Sequence, residues 1–322
     1  MGSSLNPYDP CVTNATIDGS QCTICCYVDD TKISHAKQEV VEKVMNVLEQ
    51  RFGKMTVKRG NKHTFVGMDF EFKESGKVEI SMKDYLTECI ETFEEAGENL
   101  GEKCSTPGEH NFFKTDDKSA TLDEKKGEIF HHIVAKLLYV SKRARLDIDL
   151  VVSFLCTRVA EPTEQDWEKL RRLLTYIKGS INIVRTMSAE DLTTIRAWAD
   201  ASYAIHYVIR GHTGGVISFG IGVTHHKSHK QKLNAKSSTE TEIIGASDYL
   251  PWLLWTKRFM EKQGYKIKST KYYHDNESAI KLETNGMRSS SEKTRHIDIR
   301  YFLSKISANR RTSLLDTIGQ KR

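Results

Sequence analysis

The stretch Gln21–Ser34, QCTICCYVDDTKIS, gives the clearest local indication of a fold in this chain. Its apolar run ends at two adjacent aspartates, Asp29 and Asp30, and the residues that follow alternate between polar and apolar. Alternation with a period of two is typical of β-strands, and aspartate favours the tight turns that join them. The stretch therefore predicts a β-hairpin with both aspartates at its tip.

The residues after this hairpin predict a helix and a second hairpin. Apolar residues recur every three or four positions over Gln38–Phe52, which is the period of an amphipathic helix. The stretches Thr64–Phe72 and Lys77–Met82 alternate like two strands joined by a turn. We expect residues 1–82 to form a β-rich unit with one helix packed on the sheet.

Residues 83–180 have mainly helical periodicity, interrupted by a polar loop near Ser105–Lys126. The clearest helix covers Thr163–Lys178, where Thr163 and Asp166 approximate a capping box and Gly179 ends the pattern. Its buried stripe is predicted to consist of Leu170, Leu173, Leu174 and Ile177.

Beyond about residue 192 the sequence predicts short strands. Gly211 and the pair Gly214-Gly215 are interpreted as turns between the first two of them. The three candidate strands are Thr194–Asp200, Gly215–Phe219 and Gly222–His226.

A helix is expected to begin near Ser238, and Pro251 should kink or divide it. A strand over Lys271–His274 then leads to Asp275 and to a helix over Glu277–Thr284. This order of elements predicts an α/β unit, with a domain boundary near residue 190.

Composition limits the class of protein. At roughly 150 residues per domain, 322 residues suffice for two or more domains. A hydrophobic fraction of 38% with five prolines argues against disorder as the main state. The sequence has no apolar stretch of roughly 18 to 20 residues, and its first residues lack the apolar core of a secretory signal. We expect a soluble intracellular protein.

Seven scattered cysteines, an odd number, fit a reducing compartment better than a disulfide framework. The run Cys22-Thr-Ile-Cys25-Cys26 resembles half of a zinc site, but no second Cys or His pair follows at finger spacing. Buried strand thiols are therefore the favoured interpretation, with zinc as the alternative.

The formal net charge of +5 conceals an asymmetry. Residues 71–128 carry 16 acidic and 8 basic side chains, whereas residues 201–322 carry 10 acidic and 21 basic ones. A basic C-terminal third suggests a polyanionic partner, although a solvated basic surface is an equal alternative on charge alone.

Within this third, the segment Thr224–Lys236 offers Lys227, Lys230 and Lys232 for phosphate contacts. The same segment contains His225, His226 and His229. No cysteine or acidic residue lies among these histidines, so a polar strand is preferred to a zinc cluster.

Three acidic residues lie at the ends of predicted elements. Asp200 ends a first strand, Glu242 lies in the first turns of a helix, and Asp275 follows a later strand. Carboxylates so placed can meet at one rim of a sheet and hold divalent cations, whereas each of them singly is an ordinary surface acid.

The first part of the sequence resembles the reverse transcriptase of copia-type long-terminal-repeat retrotransposons. In that family the palm domain has a YVDD box on a hairpin, as at Tyr27–Asp30 here, and the motifs follow one another in family order. The matching motifs are LNPYDPC at 5–11, FGKM at 52–55, FVGMDF at 65–70, KDYL at 83–86, TP at 106–107, HIVAKLLY at 132–139, LDI at 146–148 and LTYIKG at 174–179.

Beyond residue 190 the sequence is similar to the ribonuclease H domain that follows this polymerase. The matching motifs are WADASY at 198–203, KSHKQ at 227–231, SSTETE at 237–242, DNESAI at 275–280 and KTRHIDI at 293–299.

The resemblance implies an α+β fold: a partial polymerase palm at 1–82, a helical thumb and connection at 83–190, and an α/β ribonuclease H-like domain at 191–322. It implies RNA-directed DNA synthesis and cleavage of RNA in RNA/DNA hybrids. The implied cofactors are two Mg²⁺ or Mn²⁺ ions per active site. The implied partners are RNA/DNA hybrid, primer-template and other parts of the Pol polyprotein, in the cytoplasm, the nucleus or a virus-like particle, without a membrane.

The resemblance also implies site residues. Glu242 is preferred to Glu240 because it matches the glutamate that precedes an apolar helix face, and Asp298 either helps to bind the hybrid or caps a helix. The implied metal-binding and catalytic residues are Asp29, Asp30, Asp200, Glu242 and Asp275. The implied nucleic-acid contacts are Lys227, Lys230, Lys232, Arg295 and His296.

The sequence departs from the family pattern at both ends. The family has a third palm aspartate and a fingers domain upstream of YVDD, and a fourth ribonuclease H carboxylate in an Ala-Asp motif. Neither aspartate has a counterpart here, since Asp18 lies in a turn-like stretch and Ser307–Arg322 lacks the motif. We expect an incomplete polymerase half from a decayed or truncated element. The competing hypothesis is a catalytically inactive nucleic-acid-binding remnant.

Overall fold

An antiparallel sheet and one helix form the N-terminal part of the computed structural model, which describes residues 4–276. A two-residue turn, Val28-Asp29, joins the third and fourth strands, and Val40 and Val44 of the helix are buried against Cys22. The predicted hairpin and helix are thus confirmed. The elements are β1 (Ser4–Asn6), β2 (Asp9–Ile17), β3 (Ser20–Tyr27), β4 (Asp30–Ser34) and α1 (Gln38–Phe52), with strand order β1-β2-β3-β4.

The second predicted hairpin has one more turn than expected. The continuous strand predicted over Thr64–Phe72 is wrong, because Val66 and Gly67 have φ of +52° and +68° and reverse the chain. Alternation persists on both sides of this turn, which is why the pattern concealed it. The strands are β5 (Lys62–Phe65), β6 (Met68–Phe72) and β7 (Val78–Ser81).

Four helices enclose the largest apolar core, whose members include the fully buried Trp167 and Phe93. The predicted capping box is present, since Thr163 and Asp166 exchange side-chain and backbone hydrogen bonds. The predicted apolar stripe of that helix is fully buried. These helices are α2 (Lys83–Glu95), α3 (Glu124–Ser141), α4 (Asp149–Cys156) and α5 (Glu164–Gly179).

The last described part is a sheet with a long helix on one face. Tyr249 and Leu253 of the helix are buried with Ile195 and Ala197 of the sheet. Four of the strands form a sheet of order β12-β10-β9-β13, in which β13 runs parallel to β9 and the other pairs are antiparallel. The elements are β8 (Arg185–Ala189), β9 (Thr194–Ser202), β10 (His212–Ser218), β11 (Gly220–Ile221), β12 (His225–Lys230), α6 (Ser238–Lys262) and β13 (Ser269–Tyr273).

Two local predictions in this part are wrong, and the division of α6 that was one of the two effects predicted for Pro251 is absent. Gly214 and Gly215 lie inside β10 rather than in a turn. The strand predicted over Gly222–His226 begins only at His225, because Gly222 has a φ of +76°. Pro251 does not divide α6; the helix continues because buried residues on both sides of the proline pack on the same sheet.

A further sheet connects the parts of the chain. Its order is β11-β8-β7-β6-β5, so β8 pairs with β7 on one side and with β11 on the other. The proposed units 1–82, 83–190 and 191–322 therefore each contribute strands to it, and their limits stay a prediction. The helix predicted over Glu277–Thr284 lies outside the described residues.

The predicted α+β class is confirmed by this combination of helices and sheets. Between residues 4 and 276, none of the helices is long and apolar enough to cross a membrane.

Candidate metal centre

Three carboxylates from three elements meet at one edge of the β12-β10-β9-β13 sheet. Asp200 lies on β9, Glu242 in the first turns of α6, and Asp275 two residues after β13. One potential ligand atom of each lies within 4.8 Å of the other two. Because β9 and β13 are parallel neighbours, their carboxyl ends reach the same edge, where α6 begins. The structure thus brings together the three acids that the sequence singled out in this part.

Small residues let α6 approach the strand closely. Gly245, one turn after Glu242, lies so near Ala201 that a β-carbon on the glycine would fall 3.0 Å from the alanine Cβ. On the other side of β9, Asp200 pairs with Gly214, which has no side chain to cover it. The Asp200 carboxylate accepts a hydrogen bond from the Ala201 amide at 2.8 Å and remains exposed.

Glu242 is the buried member of the centre, with 8% of its surface exposed. Burial raises the pKa of this carboxyl group, and the charges of Asp200 and Asp275 raise it further. His274 opposes them, since its Nε2 lies 3.3 Å from Glu242 Oε2. Three carboxylates this close repel one another, so a bound cation would relieve the repulsion.

The centre fits a hard divalent cation. It offers carboxylate oxygens, the ligands that Mg²⁺ and Mn²⁺ prefer, and no thiolate or imidazole belongs to the group. Among the described residues, Asp200 and Asp275 are exposed whereas Glu242 is buried, so two of the three carboxylates face solvent. A substrate oxygen or water could therefore complete the coordination from solvent.

Glu240, the alternative to Glu242, takes part in the hydrogen bonds at the N-terminus of α6. Ser237 caps α6 by accepting a hydrogen bond from the Glu240 amide, and Glu240 Oε2 accepts one from the Lys236 amide at 2.6 Å. This exchange holds the first turn of α6 in place and leaves Glu242 to face the other two acids.

Asp29 and Asp30 lie at the exposed tip of the β3–β4 hairpin. Asp30 Oδ2 accepts a hydrogen bond from the Val66 amide at 3.0 Å, which ties this hairpin to the turn between β5 and β6. Val28 is 89% exposed and has a φ of +50°, an unfavourable conformation for a β-branched residue. Within residues 4–276, no third acidic, His or Cys side chain joins the two aspartates in a potential metal site.

The three lysines predicted to contact phosphates do not share one surface. Lys227 and Lys230 are three positions apart on β12 and so point to opposite faces of the sheet. The ammonium group of Lys227 lies 5.3 Å from the centre of the Trp252 ring on α6. Lys232 follows the strand and is exposed. Arg295, His296 and Asp298 lie outside the described residues.

The predicted polar strand in this segment is confirmed as β12, and its histidines have separate neighbours. His225 stacks on Trp252, with ring centres 4.7 Å apart. His226 Nε2 lies 3.5 Å from Asp149 Oδ2, and His229 Nε2 lies 3.5 Å from Asp248 Oδ2. In the part of the chain that the structure describes, these histidines do not form a common metal site.

The Cys22–Cys26 run lies on β3 without a metal cluster among the described residues. Cys22 is buried as expected of a strand thiol, but Cys25 is only partly buried and Cys26 is exposed.

Sequence reasoning missed His274. It precedes Asp275 directly, yet the sequence contains no signal that its side chain turns back towards a helix beginning more than thirty residues earlier.

Comparisons with known proteins agree with this architecture. No protein-family model matches the chain. It is 27% identical over 300 residues, 91% of its length, to the retrovirus-related Pol polyprotein from transposon TNT 1-94 of Nicotiana tabacum. It is 22% identical over 276 residues, 82% of its length, to the Ty1-ER2 Gag-Pol polyprotein of Saccharomyces cerevisiae. The chain spans 22% and 16% of the lengths of these two relatives.

A solved structure shows the same fold over most of the chain. The foamy viral protease-reverse transcriptase, determined in complex with an RNA/DNA hybrid, matches 92% of this chain and 35% of its own, with a TM-score of 0.52 and 11% identity. At that identity the likeness concerns the fold. The resemblance inferred from the motifs is thereby confirmed: over most of its length the chain is similar to the Pol polyproteins of retrotransposons.

Proposed function

We propose that the chain is the reverse transcriptase and ribonuclease H part of a retrotransposon Pol polyprotein, and that its carboxylate centre cleaves the RNA strand of RNA/DNA hybrids. The observation that carries this proposal is the convergence of Asp200, Glu242 and Asp275 within 4.8 Å. The similarity to Pol polyproteins and the reverse transcriptase fold support it.

In this proposal the three carboxylates hold two Mg²⁺ or Mn²⁺ ions. When bound, such ions supply an activated water and stabilise the leaving 3′ oxygen of a cleaved phosphate. Glu242, which is buried at the start of α6, fixes the inner wall of the centre. Asp200 and Asp275 lie at the open rim, where they can face a phosphate from the hybrid. Their combined negative charge offsets the charge of the cations.

The β3–β4 hairpin is proposed to be the metal-binding part of a polymerase palm, with Asp29 and Asp30 as its ligands. The described residues supply no third ligand beside them. We therefore propose that the hybrid-cleaving centre, rather than the polymerase centre, is the active one in this polypeptide.

The proposed partners are RNA/DNA hybrid and primer-template nucleic acid, contacted through Lys232, Arg295, His296 and either Lys227 or Lys230, which point to opposite faces of β12. The excess of basic residues in the C-terminal third supports such a partner, because phosphate contacts dominate nucleic-acid affinity. Other parts of the Pol polyprotein, and a virus-like particle as the location, belong to the same proposal.

A metal titration with a cleavage assay tests the proposal on the full chain. We expect Mn²⁺ to raise the melting temperature and to support slow, hybrid-specific RNA cleavage, with less cleavage in Mg²⁺ because Mn²⁺ binds such sites more tightly. Asp200→Asn and Asp275→Asn should each abolish cleavage, since they keep the shape and remove the charge. Glu91→Gln, which removes an exposed acid on α2, is the matched control.

Cleavage that persists unchanged in both asparagine variants would place the chemistry elsewhere. A parent protein that binds hybrid but neither binds nor responds to Mn²⁺ would favour the second candidate, a nucleic-acid-binding remnant without catalysis. This second candidate is retained because, among the described residues, no third potential ligand joins Asp29 and Asp30 at the tip of the β3–β4 hairpin.

A further inference from the structure

His274 is a buried side chain beside the carboxylate centre that lies outside the group of potential ligand atoms. It sits between the end of β13 and Asp275, with 6% of its surface exposed. Its ring stacks on Tyr272 with ring centres 6.1 Å apart and an interplanar angle of 18°. Its Nε2 lies 3.3 Å from Glu242 Oε2. The two rings are nearly parallel, so Tyr272 limits the tilt of the imidazole. Among the described residues, buried Glu242 Oε2 has no partner that meets hydrogen-bond geometry, and His274 Nε2 lies within a small rotation of providing one.

A carboxylate in the position of Glu242 needs such a contact. Its side chain leaves the first turns of α6 and is held near two further acids, so repulsion favours any rotamer that turns it away. A nitrogen–hydrogen donor on one carboxylate oxygen opposes this rotation. It also leaves the second oxygen of Glu242 available to a cation shared with Asp200 and Asp275.

We propose that His274 positions Glu242 for metal binding by donating a hydrogen bond from Nε2 to Oε2. The inference rests on the proposed metal centre and deepens it. His274 is a positioning residue rather than a ligand, because its Nε2 lies next to Glu242 Oε2 and the group of converging ligand atoms does not include it. Contacts that orient a metal ligand commonly contribute about 10- to 100-fold in metal affinity.

Two substitutions separate positioning from mere packing. His274→Leu has a side chain of similar bulk but lacks the donor. His274→Gln keeps a nitrogen–hydrogen donor at similar reach. We expect the leucine variant to bind Mn²⁺ about 10- to 100-fold more weakly, measured by the electron paramagnetic resonance signal of free Mn²⁺. The glutamine variant should recover most of the lost affinity. A purely structural role predicts no such recovery.

A double-mutant cycle tests whether His274 affects metal affinity through Glu242. In a Glu242→Gln background, His274→Leu should cause little further loss of Mn²⁺ affinity, because the carboxylate that His274 orients is already gone. Additive losses would show that His274 acts by another route and would overturn the proposal.

A spectroscopic measurement covers the case in which the leucine variant does not fold. In the metal-free parent, Glu242→Gln should shift the Nε2 resonance of one buried imidazole in long-range ¹H–¹⁵N spectra, and His274→Gln should remove that resonance. Absence of any such shift overturns the proposal.

If the parent binds Mn²⁺ and His274→Leu leaves the Mn²⁺ affinity unchanged, this inference fails while the metal centre stands. If the parent binds no Mn²⁺, both fail.

Discussion

Gly215 in the middle of β10 lies directly beneath the ring of Tyr249 on α6. A β-carbon added to Gly215 would fall 2.5 Å from Tyr249 Cε2 and 2.6 Å from Cγ, closer than packed atoms can approach. The tyrosine is fully buried, and burial raises the pKa of its hydroxyl group. The absence of a side chain on the strand thus allows α6 to pack flat on the sheet and to bring Glu242 to its edge.

We expect Gly215→Ala to destabilise the protein by about 2 kcal/mol, because overpacking of a filled core costs about 1 to 3 kcal/mol. The neighbouring Gly214→Ala is the matched control. No atom lies within 4 Å of a β-carbon there, so its effect should stay within about 0.5 kcal/mol. Urea unfolding of both variants measures the difference. Equal effects would mean that α6 can move away from the strand without cost.

The hydrogen bond from the Val66 amide to Asp30 predicts different roles for the two adjacent aspartates. Asp30→Ala should lower the free energy of unfolding by about 1 kcal/mol, the usual net value of such a bond. Asp29→Ala should change it by less than about 0.5 kcal/mol. Hydrogen exchange of the Val66 amide provides a local readout. If it exchanges equally fast in both variants, the two hairpins are not coupled through Asp30.

We expect Asp29 and Asp30 by themselves to support no processive polymerase activity. Among residues 4–276, Asp29 and Asp30 have no third ligand, and a cation pair with two carboxylates is poorly held. Primer extension on a primed RNA template checks this in Mg²⁺ and in Mn²⁺. Extension by the purified chain that is abolished by Asp29→Ala would contradict the expectation.

Buried histidines should make the protein sensitive to acid. His206 Nε2 lies 3.0 Å from His212 Nδ1, and His212 Nε2 lies 2.7 Å from Ser228 Oγ. Phe113 and Phe154 enclose the pair where the helical part meets the β12-β10-β9-β13 sheet. Burial lowers the pKa of His206 to about 4 and that of His212 to about 3.

The direction of the pH effect follows from these lowered pKa values. Above about pH 6.5 both histidines are neutral in the folded and in the unfolded chain, and stability is highest. As the pH falls from about 6.5 towards 4, the unfolded chain binds protons that the folded chain excludes. Stability then falls by up to about 1.4 kcal/mol per pH unit for each histidine.

Urea unfolding between pH 7.5 and pH 4.5 measures this slope. His206→Gln should make it shallower, whereas His110→Gln, at an exposed position, should leave it unchanged. An equal slope in the parent and in His206→Gln would show that other groups control the acid sensitivity.

The placement of the lysines determines how much their removal should change the salt dependence of hybrid binding. Because Lys227 and Lys230 point to opposite faces of β12, one duplex can contact only one of them together with Lys232. The triple replacement by alanine should therefore reduce the salt slope of hybrid binding by about two units, at about one unit for each lost phosphate contact. Fluorescence anisotropy at several salt concentrations measures it.

Lys43→Ala, an exposed lysine on α1, is the control for non-specific charge loss. If the triple variant and the control have the same slope as the parent, the basic strand is solvated surface and contacts no phosphate.

Local patterns were sufficient for much of the fold. The hairpin around Asp29, the helix over Gln38–Phe52 and the capping box at Thr163 follow from periodicity, turn residues and caps, which act between residues close in sequence. The motif resemblance added the expected functions of the acids. Neither source predicted the turn at Val66-Gly67 or the uninterrupted α6 across Pro251.

The sequence by itself determined which residue types are available: three acids at element ends, a basic C-terminal third and a YVDD turn. The tertiary structure decided which of them meet. Asp200, Glu242 and Asp275 converge because β13 pairs parallel to β9 and because glycines let α6 pack close to the sheet. It also decided that His274 faces Glu242 and that Lys227 and Lys230 are on opposite faces. Such contacts depend on the packing of segments distant in sequence, which no local pattern encodes.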